Sequence, residues 1–192
     1  MRPAVAAFNR YAGDYDSWFE TNRRTYQEQL AAVRSVLPGK GRGLEVGVGS
    51  GRFAAGLRIR YGLDPAPALL RMARQRGVET VLGVGEDLPF RAGTFDYVLM
   101  MTVICFMADI ARSFEEAFRV IRPGGIIISG FMEKDGEVAR REPGQEPAGR
   151  FLRFAAFRSV EEVMTVLSAV GFSRCTLREN LHGLCVITAQ KE

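Results

Sequence analysis

The stretch "GLEVGVGSGRF" at residues 43–53 constrains this chain most, because three glycines alternate where an apolar run ends. The apolar "LEV" predicts a short buried strand, and the residues after the glycines predict a very short helix over about 52–57. At a strand-to-helix turn, backbone N–H groups can point at a ligand, and a Cβ atom would block its approach. The pattern therefore predicts a ligand-binding loop at the end of a strand.

The spacing of the glycines narrows the choice of ligand. The dinucleotide pattern G-x-G-x-x-G/A can be placed on Gly49, Gly51 and Ala54, but it leaves Gly47 unexplained. The pattern E-x-G-x-G-x-G instead begins at Glu45 and includes all three alternating glycines. An acid at the end of the strand favours a ligand with a cationic amino group over a bare phosphate. A tight turn that needs glycine for its shape alone is the remaining alternative.

Strand-like and helix-like segments alternate along the chain. The strand-like segments "LEV", "IRYGLD", "VETVLG", "FDYVLMM" and "GIIISGF" are separated by helical patterns, which is typical of parallel strands joined by right-handed crossovers. After a helix over 159–170, two strand-like runs joined by "NLHG" predict an antiparallel hairpin. We therefore expect an α/β, Rossmann-like three-layer sandwich whose mostly parallel seven-stranded sheet ends in an antiparallel hairpin.

Two segments fall outside this alternation, although a chain of 192 residues is expected to form one domain over 1–192. Residues 1–38, called the cap below, are expected to form a helical N-terminal segment, with helical spacing of apolar residues over 14–37. Residues 132–158, called the insertion below, are polar at first and then aromatic and basic. We expect the insertion to lie, like a lid, over the carboxyl ends of the strands.

Composition excludes several classes of protein. The net charge is +4, but the arginines are spread along the chain among acids, so a solvated surface is favoured and nucleic acid is an unlikely partner. No apolar run approaches the roughly 20 residues that span a bilayer, and the first residues do not resemble a signal peptide. Three cysteines without metal-ligand spacing indicate reduced thiols. We expect a cytoplasmic protein without a metal site or a membrane partner.

Two further acidic stretches follow predicted strands. Asp64 closes the second strand in "GLDPAP", where an acid can accept hydrogen bonds from both hydroxyls of an adenosine ribose. Its alternative role is to cap the helix that follows. The stretch "GVGEDLPF" follows the third strand. A backbone turn there could form hydrogen bonds with the edge of an adenine base, and Glu86 or Asp87 could accept a hydrogen bond from the adenine amino group. The alternative for this stretch is a polar turn.

These stretches, followed by "FRVIRPGG", resemble the class I S-adenosylmethionine-dependent methyltransferases over about residues 40–131. The closest likeness is to the small-molecule, methyltransferase-11-like type. The resemblance implies S-adenosyl-L-methionine as cofactor and S-adenosyl-L-homocysteine as product. It also implies a set of cofactor-binding residues: Glu45, Gly47, Gly49 and Gly51 at the methionine end, Asp64 at the ribose, with Pro65 beside it, Gly85, Glu86 and Asp87 around the adenine, and Met101 and Thr102 beside the sulfonium.

The chain departs from the family pattern at three places. Only 15 positions separate Gly49 from Asp64, so the first helix of the sheet should have one or two turns. Val84 stands where the family often has Asp, which leaves adenine recognition to backbone groups and Glu86. Ala66 stands where a serine commonly opens the next helix, so a cap is lost there.

The sequence identifies no catalytic residue. Methyl transfer from a sulfonium depends on orientation and a dry pocket, and it needs a general base only when the nucleophile arrives protonated with a high pKa. Tyr11 and Tyr15 could face the sulfonium through cation–π attraction or pack in the core. His182 is expected to be a solvated turn residue, and Cys105 a small core residue.

The expected function is methyl transfer to a small-molecule acceptor. The sequence leaves two alternatives open. One is an RNA or protein methyltransferase that uses the insertion as a basic contact, and the other is a non-catalytic protein that binds S-adenosylmethionine. The oligomeric state and the identity of the acceptor stay open.

Overall fold

Seven strands form one sheet in the computed structural model, which describes residues 2–140 and 149–192. The strands are β1 (Gly43–Val46), β2 (Tyr61–Asp64), β3 (Glu79–Leu82), β4 (Phe95–Met101), β5 (Ile121–Met132), β6 (Ser173–Leu181) and β7 (Leu184–Gln190). The helices are α1 (Pro3–Arg10), α2 (Ala12–Thr21), α3 (Arg23–Val36), α4 (Arg52–Leu57), α5 (Pro67–Gln75), α6 (Ile110–Val120), α7 (Glu137–Arg140), α8 (Gly149–Leu152) and α9 (Val160–Val170), with a 3-10 turn at Ile104–Phe106. Met1 of the cap and residues 141–148 of the insertion lie outside the described residues.

The strand order across the sheet is β3-β2-β1-β4-β5-β7-β6. The pairings from β3 through to β5 are parallel, and β7 runs antiparallel to both β5 and β6. This topology confirms the predicted Rossmann-like sheet with a terminal antiparallel hairpin. The order reverses between β1 and β4, and in open α/β sheets such a reversal opens a ligand crevice at the carboxyl ends of the strands.

Strand β4 shows how the sequence places the sheet between two helical layers. Val98 and Met100 pack in the cluster that α6 and α9 cover, whereas Leu99 and Met101 pack in the cluster under α3, α4 and α5. Successive side chains of a strand point to opposite faces, so a strand covered on both sides reads as a continuous apolar run. The run "FDYVLMM" therefore encodes a central strand of a three-layer sandwich.

The cap contains three helices where the sequence predicted one over 14–37. Asn22 is the C-cap residue of α2: its backbone N–H makes a final helical bond to the Trp18 carbonyl at 2.8 Å, and its Nδ2 donates to the same carbonyl at 3.0 Å. Asparagine competes in this way for helix carbonyls, and α3 begins at the next residue. Helix α1, which begins at Pro3, was missed. Proline is well suited to a first helical position, since its missing N–H needs no partner there.

The hairpin turn is tighter than the predicted "NLHG" loop. Asn180 and Leu181 belong to β6, so only His182 and Gly183 lie between the strands. Their φ angles are 50° and 87°. Two successive residues in the left-handed region are typical of a type I′ turn, which matches the twist of the flanking strands.

Within residues 2–140 and 149–192, no helix is both long enough and apolar enough to cross a membrane.

We predict that Gly51→Ala lowers the free energy of unfolding more than Gly77→Ala. Both glycines have left-handed backbones, with φ of 82° and 84°, so alanine costs about 1–2 kcal/mol at either site. A Cβ atom at Gly51 would also lie 2.9 Å from the Ala73 Cα, whereas nothing lies within 4 Å at Gly77. To relieve this contact, α4 must move away from α5, which should lower the free energy of unfolding of Gly51→Ala by about 1–3 kcal/mol more. Urea unfolding of the two variants measures the difference, and equal losses would contradict the packing argument.

Candidate active site

A cavity of about 750 Å³ lies over the carboxyl ends of β1, β2 and β4. The predicted cofactor residues found in its wall are Gly47, Gly49, Asp64, Pro65, Gly85, Glu86, Met101, Thr102 and Tyr15. The other predicted residues, Glu45, Gly51, Asp87 and Tyr11, lie outside the wall. The structure thus gathers residues from four separate strand ends at one edge of the sheet.

The glycine loop after β1 is held against β2 by its own backbone. Gly47 and Val48 both donate their N–H groups to the Leu63 carbonyl, at 2.8 and 3.0 Å. Gly49 donates its N–H to Oδ2 of Asp64 at 2.9 Å. These three N–H groups are satisfied within the protein. This finding corrects the expectation that these N–H groups point at a ligand. Gly47, Gly49 and Gly51 have φ angles of 74°, 53° and 82°, so a tight turn that needs glycine for its shape explains them together with close approach at the loop.

The side chain of Tyr15, on α2, lies beside Gly49, in space that a larger residue at position 49 would fill. At Gly49 φ is 53°, and a Cβ atom there would lie 3.0 Å from the Tyr15 hydroxyl. Burial, followed by the charges of Asp64 and Glu45, raises the pKa of Tyr15, so the phenol stays protonated at neutral pH. Tyr15 lines the cavity and also packs against the buried core, so its position agrees with both alternatives.

Asp64 lies at the junction of the glycine loop, β2 and α5, with only 7% of the residue exposed. Its Oδ2 accepts from Gly49, and its Oδ1 accepts from the backbone N–H of Ala66 at 2.8 Å. Burial raises the pKa of Asp64 to about 6, and the two backbone hydrogen bonds oppose that shift. Helix α5 is capped at Ala66, so Asp64 stabilises the turn before the helix rather than serving as its N-cap.

Glu45 lies beneath the loop instead of in the cavity wall. The residue is 2% exposed, and its Oε2 has no hydrogen-bond partner among the described residues. Burial raises its pKa well above the ordinary value, against a hydrogen bond from the Ala54 backbone, and the nearby charge of Asp64 adds to the rise. A buried polar atom without a partner is costly, which marks this carboxyl as a group that gains from a nearby positive charge.

Three other predicted residues have different places in the structure. Gly51 is the N-cap residue of α4 and packs against Ala73. Asp87 is exposed to solvent. The Cζ atom of the Arg150 guanidinium lies 4.3 Å from the centroid of the Tyr11 ring. Tyr11 does not line the cavity wall. None of the three contributes to the wall.

The adenine end predicted from "GVGEDLPF" is built around Glu86. Its Oε1 accepts from Nη1 of Arg2 at 2.8 Å and from the backbone N–H of Ala108 at 2.9 Å. Burial would raise the pKa of Glu86, but the hydrogen bond from Arg2 and those from the backbone lower it. The Glu86 carboxylate therefore holds the start of the cap against the sheet. Sequence analysis missed Arg2, which lies 84 positions away along the chain.

Asp16 ties the cap to the glycine loop through two arginines. Arg52, the first residue of α4, donates from Nε and Nη2 to the two Asp16 carboxylate oxygens at 2.9 and 2.7 Å. Arg76 donates to Asp16 at 2.8 Å and to the Ser50 carbonyl at 2.9 Å. Burial would raise the pKa of Asp16, but hydrogen bonds from Arg52 and the charges of Arg76 and Arg52 lower it to about 2. No local pattern signalled this cluster.

The cap and the insertion meet over the cavity. Phe8 of α1 stacks on Phe151 of α8 with ring centroids 4.8 Å apart, and its edge meets Phe106 at 5.0 Å. Arg150 of the insertion also forms an ion pair with Asp14 of α2. The two segments therefore close the side of the cavity that faces away from the strands.

Cys105 and His182 also line the cavity. Burial raises the pKa of the Cys105 thiol to about 12, which keeps it protonated and unreactive at neutral pH. His182 is exposed as expected, but its place in the hairpin turn puts it at the cavity rim.

Comparison with known proteins agrees with this geometry. Residues 44–129 match a family described as "Methyltransferase domain". A malonyl-[acyl-carrier protein] O-methyltransferase of Serratia marcescens is 30% identical over 95% of this chain and 78% of its own length. An uncharacterised protein of Methanocaldococcus jannaschii is 38% identical over 86% of this chain and 80% of its own length.

A solved structure resembles nearly the whole chain. It is a Thermotoga maritima protein described as an S-adenosylmethionine-dependent methyltransferase, possible histamine N-methyltransferase. The TM-score is 0.88 and the identity 33%, covering 98% of this chain and all of the other. The chain belongs to the class I S-adenosylmethionine-dependent methyltransferases.

We predict that the free energy of unfolding falls as pH rises from roughly 4 to 6 and that Asp64→Asn weakens this fall. The pKa of Asp64 is about 6 in the folded protein, whereas an unfolded aspartate titrates near 3.9. In this window the folded state holds more protons than the unfolded state, so stability must decline with pH. The shift of about two units corresponds to at most about 3 kcal/mol.

Urea unfolding at several pH values measures this effect. Glu45 contributes a decline of the same sign in both proteins, which is smaller without the Asp64 charge, and Asp16 acts only below about pH 4. The difference between the curves therefore reports Asp64 together with its effect on Glu45. Asp87→Asn, at an exposed position, is the control and should follow the wild-type curve. Parallel curves for wild type and Asp64→Asn would show that Asp64 carries no shifted pKa.

Proposed function

We propose that this methyltransferase acts on a small-molecule acceptor that shares the 750 Å³ cavity with the cofactor. Small-molecule sites typically occupy about 300–1,000 Å³, so the cavity can hold a nucleoside cofactor and a small partner. The observation that carries the proposal is the closure of the cavity by Phe8 and Phe151, which come from the cap and the insertion.

The cofactor is proposed to lie along the strand ends, in the order that the sequence implied. Its ribose would bind Asp64, whose two oxygens each keep lone pairs beyond their single backbone donors. Its adenine would lie by the backbone near Gly85, since Arg2 and Ala108 already bind the Glu86 carboxylate. Its amino group would lie over the glycine loop, where the unpartnered Oε2 of Glu45 supports a nearby cation.

The chain's own contribution to the reaction is orientation and exclusion of water. S-adenosylmethionine supplies the methyl group and the sulfonium leaving group. Tyr15, Met101 and Thr102 would surround the sulfonium, with the Tyr15 phenol protonated and therefore unable to act as a base. Phe8 and Phe151 exclude water above the site, which keeps the reacting groups aligned and favours in-line transfer.

The relatives provide two examples of acceptors. The Thermotoga protein is described as a possible histamine N-methyltransferase, and the Serratia protein is named for a malonyl group on a carrier protein. An RNA or protein acceptor would need an open approach to the sulfonium, and the Phe8–Phe151 stack and the Arg150–Asp14 ion pair argue against one. We further propose that residues 1–192 act as one domain, with the cap and the insertion closing a single site.

We predict that Asp64→Ala weakens S-adenosylhomocysteine binding more than Asp87→Ala. Removing a charged acceptor of ribose hydroxyls costs about 1.5–3 kcal/mol, or roughly 10- to 100-fold in affinity. Asp87 is exposed and lies outside the cavity wall, which makes it a matched control. Calorimetric titration of both variants decides the matter, and equal losses would remove the proposed role of Asp64.

We predict that a labelled methyl group from S-adenosylmethionine appears on low-mass molecules when the enzyme is incubated with a heat-treated cell extract. The extract is then separated by size and each fraction counted, with added S-adenosylhomocysteine as an inhibited control. Label that elutes with RNA or protein would overturn the small-molecule proposal. The absence of enzyme-dependent label in every fraction would overturn it as well.

A further inference from the structure

A buried glutamine faces the part of the cavity that the cofactor residues do not use. Gln29, on α3, is 4% exposed and lines the cavity. Its neighbours in the wall from the same helix face are Asn22 and Thr25, at helical spacing. Val33, one turn further on, is fully buried in the core beneath. Gln29 is therefore the innermost polar residue that α3 presents to the cavity.

The Gln29 side chain makes no hydrogen bond among the described residues, and its amide atoms are not among the fully buried unpartnered atoms, so they face the cavity. A glutamine amide has two donor hydrogens and one acceptor oxygen, and placing it in a cavity is unfavourable unless a partner binds it there. An apolar side chain of the same length would fill the same volume without that cost. The position thus carries a polar group that does nothing for the fold within the described residues, which points to a ligand.

The place of Gln29 separates it from the proposed cofactor contacts. The glycine loop and Asp64 follow β1 and β2, whereas α3 packs against β5, β6 and β7. Met132 of β5 and Leu184 of β7, which belong to strands that α3 contacts, also line the cavity. With the cofactor along the β1 and β2 ends, the space beside Gln29 is left for the acceptor.

Charge in the cavity wall favours one class of acceptor. The described wall contains five carboxylates, Asp14, Glu28, Asp64, Glu86 and Glu137, and one arginine, Arg2. Asp14, Glu28 and Glu86 are paired with Arg150, Arg24 and Arg2, whereas Asp64 accepts from two backbone N–H groups. Transfer of a methyl group from a sulfonium to an amine moves a positive charge onto the acceptor. Transfer to a carboxylate instead requires an anion to enter a described wall whose one arginine is already paired with Glu86. The wall therefore suits an amine better.

We propose that Gln29 positions the methyl acceptor and that the acceptor is an amine carried on an apolar or aromatic body. The Gln29 Oε1 accepts an N–H of the neutral amine, which directs the nitrogen lone pair towards the methyl carbon. The new carbon–nitrogen bond forms as the carbon–sulfur bond breaks, and its electron pair stays on sulfur. An amine that arrives as an ammonium ion loses one proton to water before the transfer, and the methylated product leaves as an ammonium ion. This inference rests on the proposed function.

The test uses three probes that share a phenyl ring: 2-phenylethylamine, 2-phenylethanol and phenylacetate. Each is titrated into the protein saturated with S-adenosylhomocysteine, and binding is followed by ligand-observed NMR. We expect the amine to bind more tightly than the alcohol and the alcohol more tightly than the acid. Phenylacetate binding as tightly as the amine, or failure of all three probes to bind, would overturn the proposal.

The Gln29→Met variant tests the role of the amide. Loss of one hydrogen bond should weaken amine binding about two- to tenfold, with phenylacetate and S-adenosylhomocysteine affinities unchanged. Because no hydrogen bond within the described residues is lost, the variant should melt at or above the wild-type temperature. Gln27→Met, an exposed glutamine on the same helix, is the control and should change none of these values.

Two results would count against Gln29 itself. Unchanged amine binding in Gln29→Met would show that the amide does not touch the acceptor, and a lower melting temperature would show that it supports the fold instead. Failure of this inference is distinct from failure of the proposed function. A low-mass labelled product together with preferential binding of phenylacetate would overturn only the acceptor class, whereas label on RNA or protein would overturn the site's function.

Discussion

The Asp64 carboxylate is the contact on which the site depends. By accepting N–H groups from Gly49 and Ala66, it joins the loop after β1 to the turn that precedes α5. The carboxylate is buried, so its ionised form has a cost that these two donors partly offset. Asp64 therefore holds the glycine loop in place and also puts an acidic group at the cavity wall. A substitution of Asp64 affects both roles.

Closure of the cavity has a separate origin in charge and aromatic packing. Asp16 of α2 forms ion pairs with Arg52 and Arg76 beside the glycine loop. Phe8 of α1 stacks on Phe151 of the insertion. Removing one partner from a partly buried charge cluster leaves the others without compensation, so such clusters hold a segment in one arrangement. The cap thus forms part of the cavity wall.

The sequence predicted the parts of the fold that depend on local periodicity. Helix α4 lies where it was expected, and the strand patterns and the terminal hairpin all appear in the sheet, because apolar spacing and glycine positions act locally. The contacts of Arg2 with Glu86 and of Arg76 with Asp16 span 84 and 60 positions, and no local pattern records such pairings. The break at Asn22 and the buried amide of Gln29 were missed for a related reason, since each depends on tertiary surroundings.

A crystal structure with S-adenosylhomocysteine would test the central claim most directly, namely that cofactor and acceptor share one closed cavity. The account predicts ribose hydroxyls on Asp64, the amino acid portion over the glycine loop above Glu45, and the sulfur facing the space bounded by Gln29 and Leu184 with the Phe8–Phe151 stack intact. A ribose bound away from Asp64, or a sulfur open to solvent beneath a displaced cap, would contradict it.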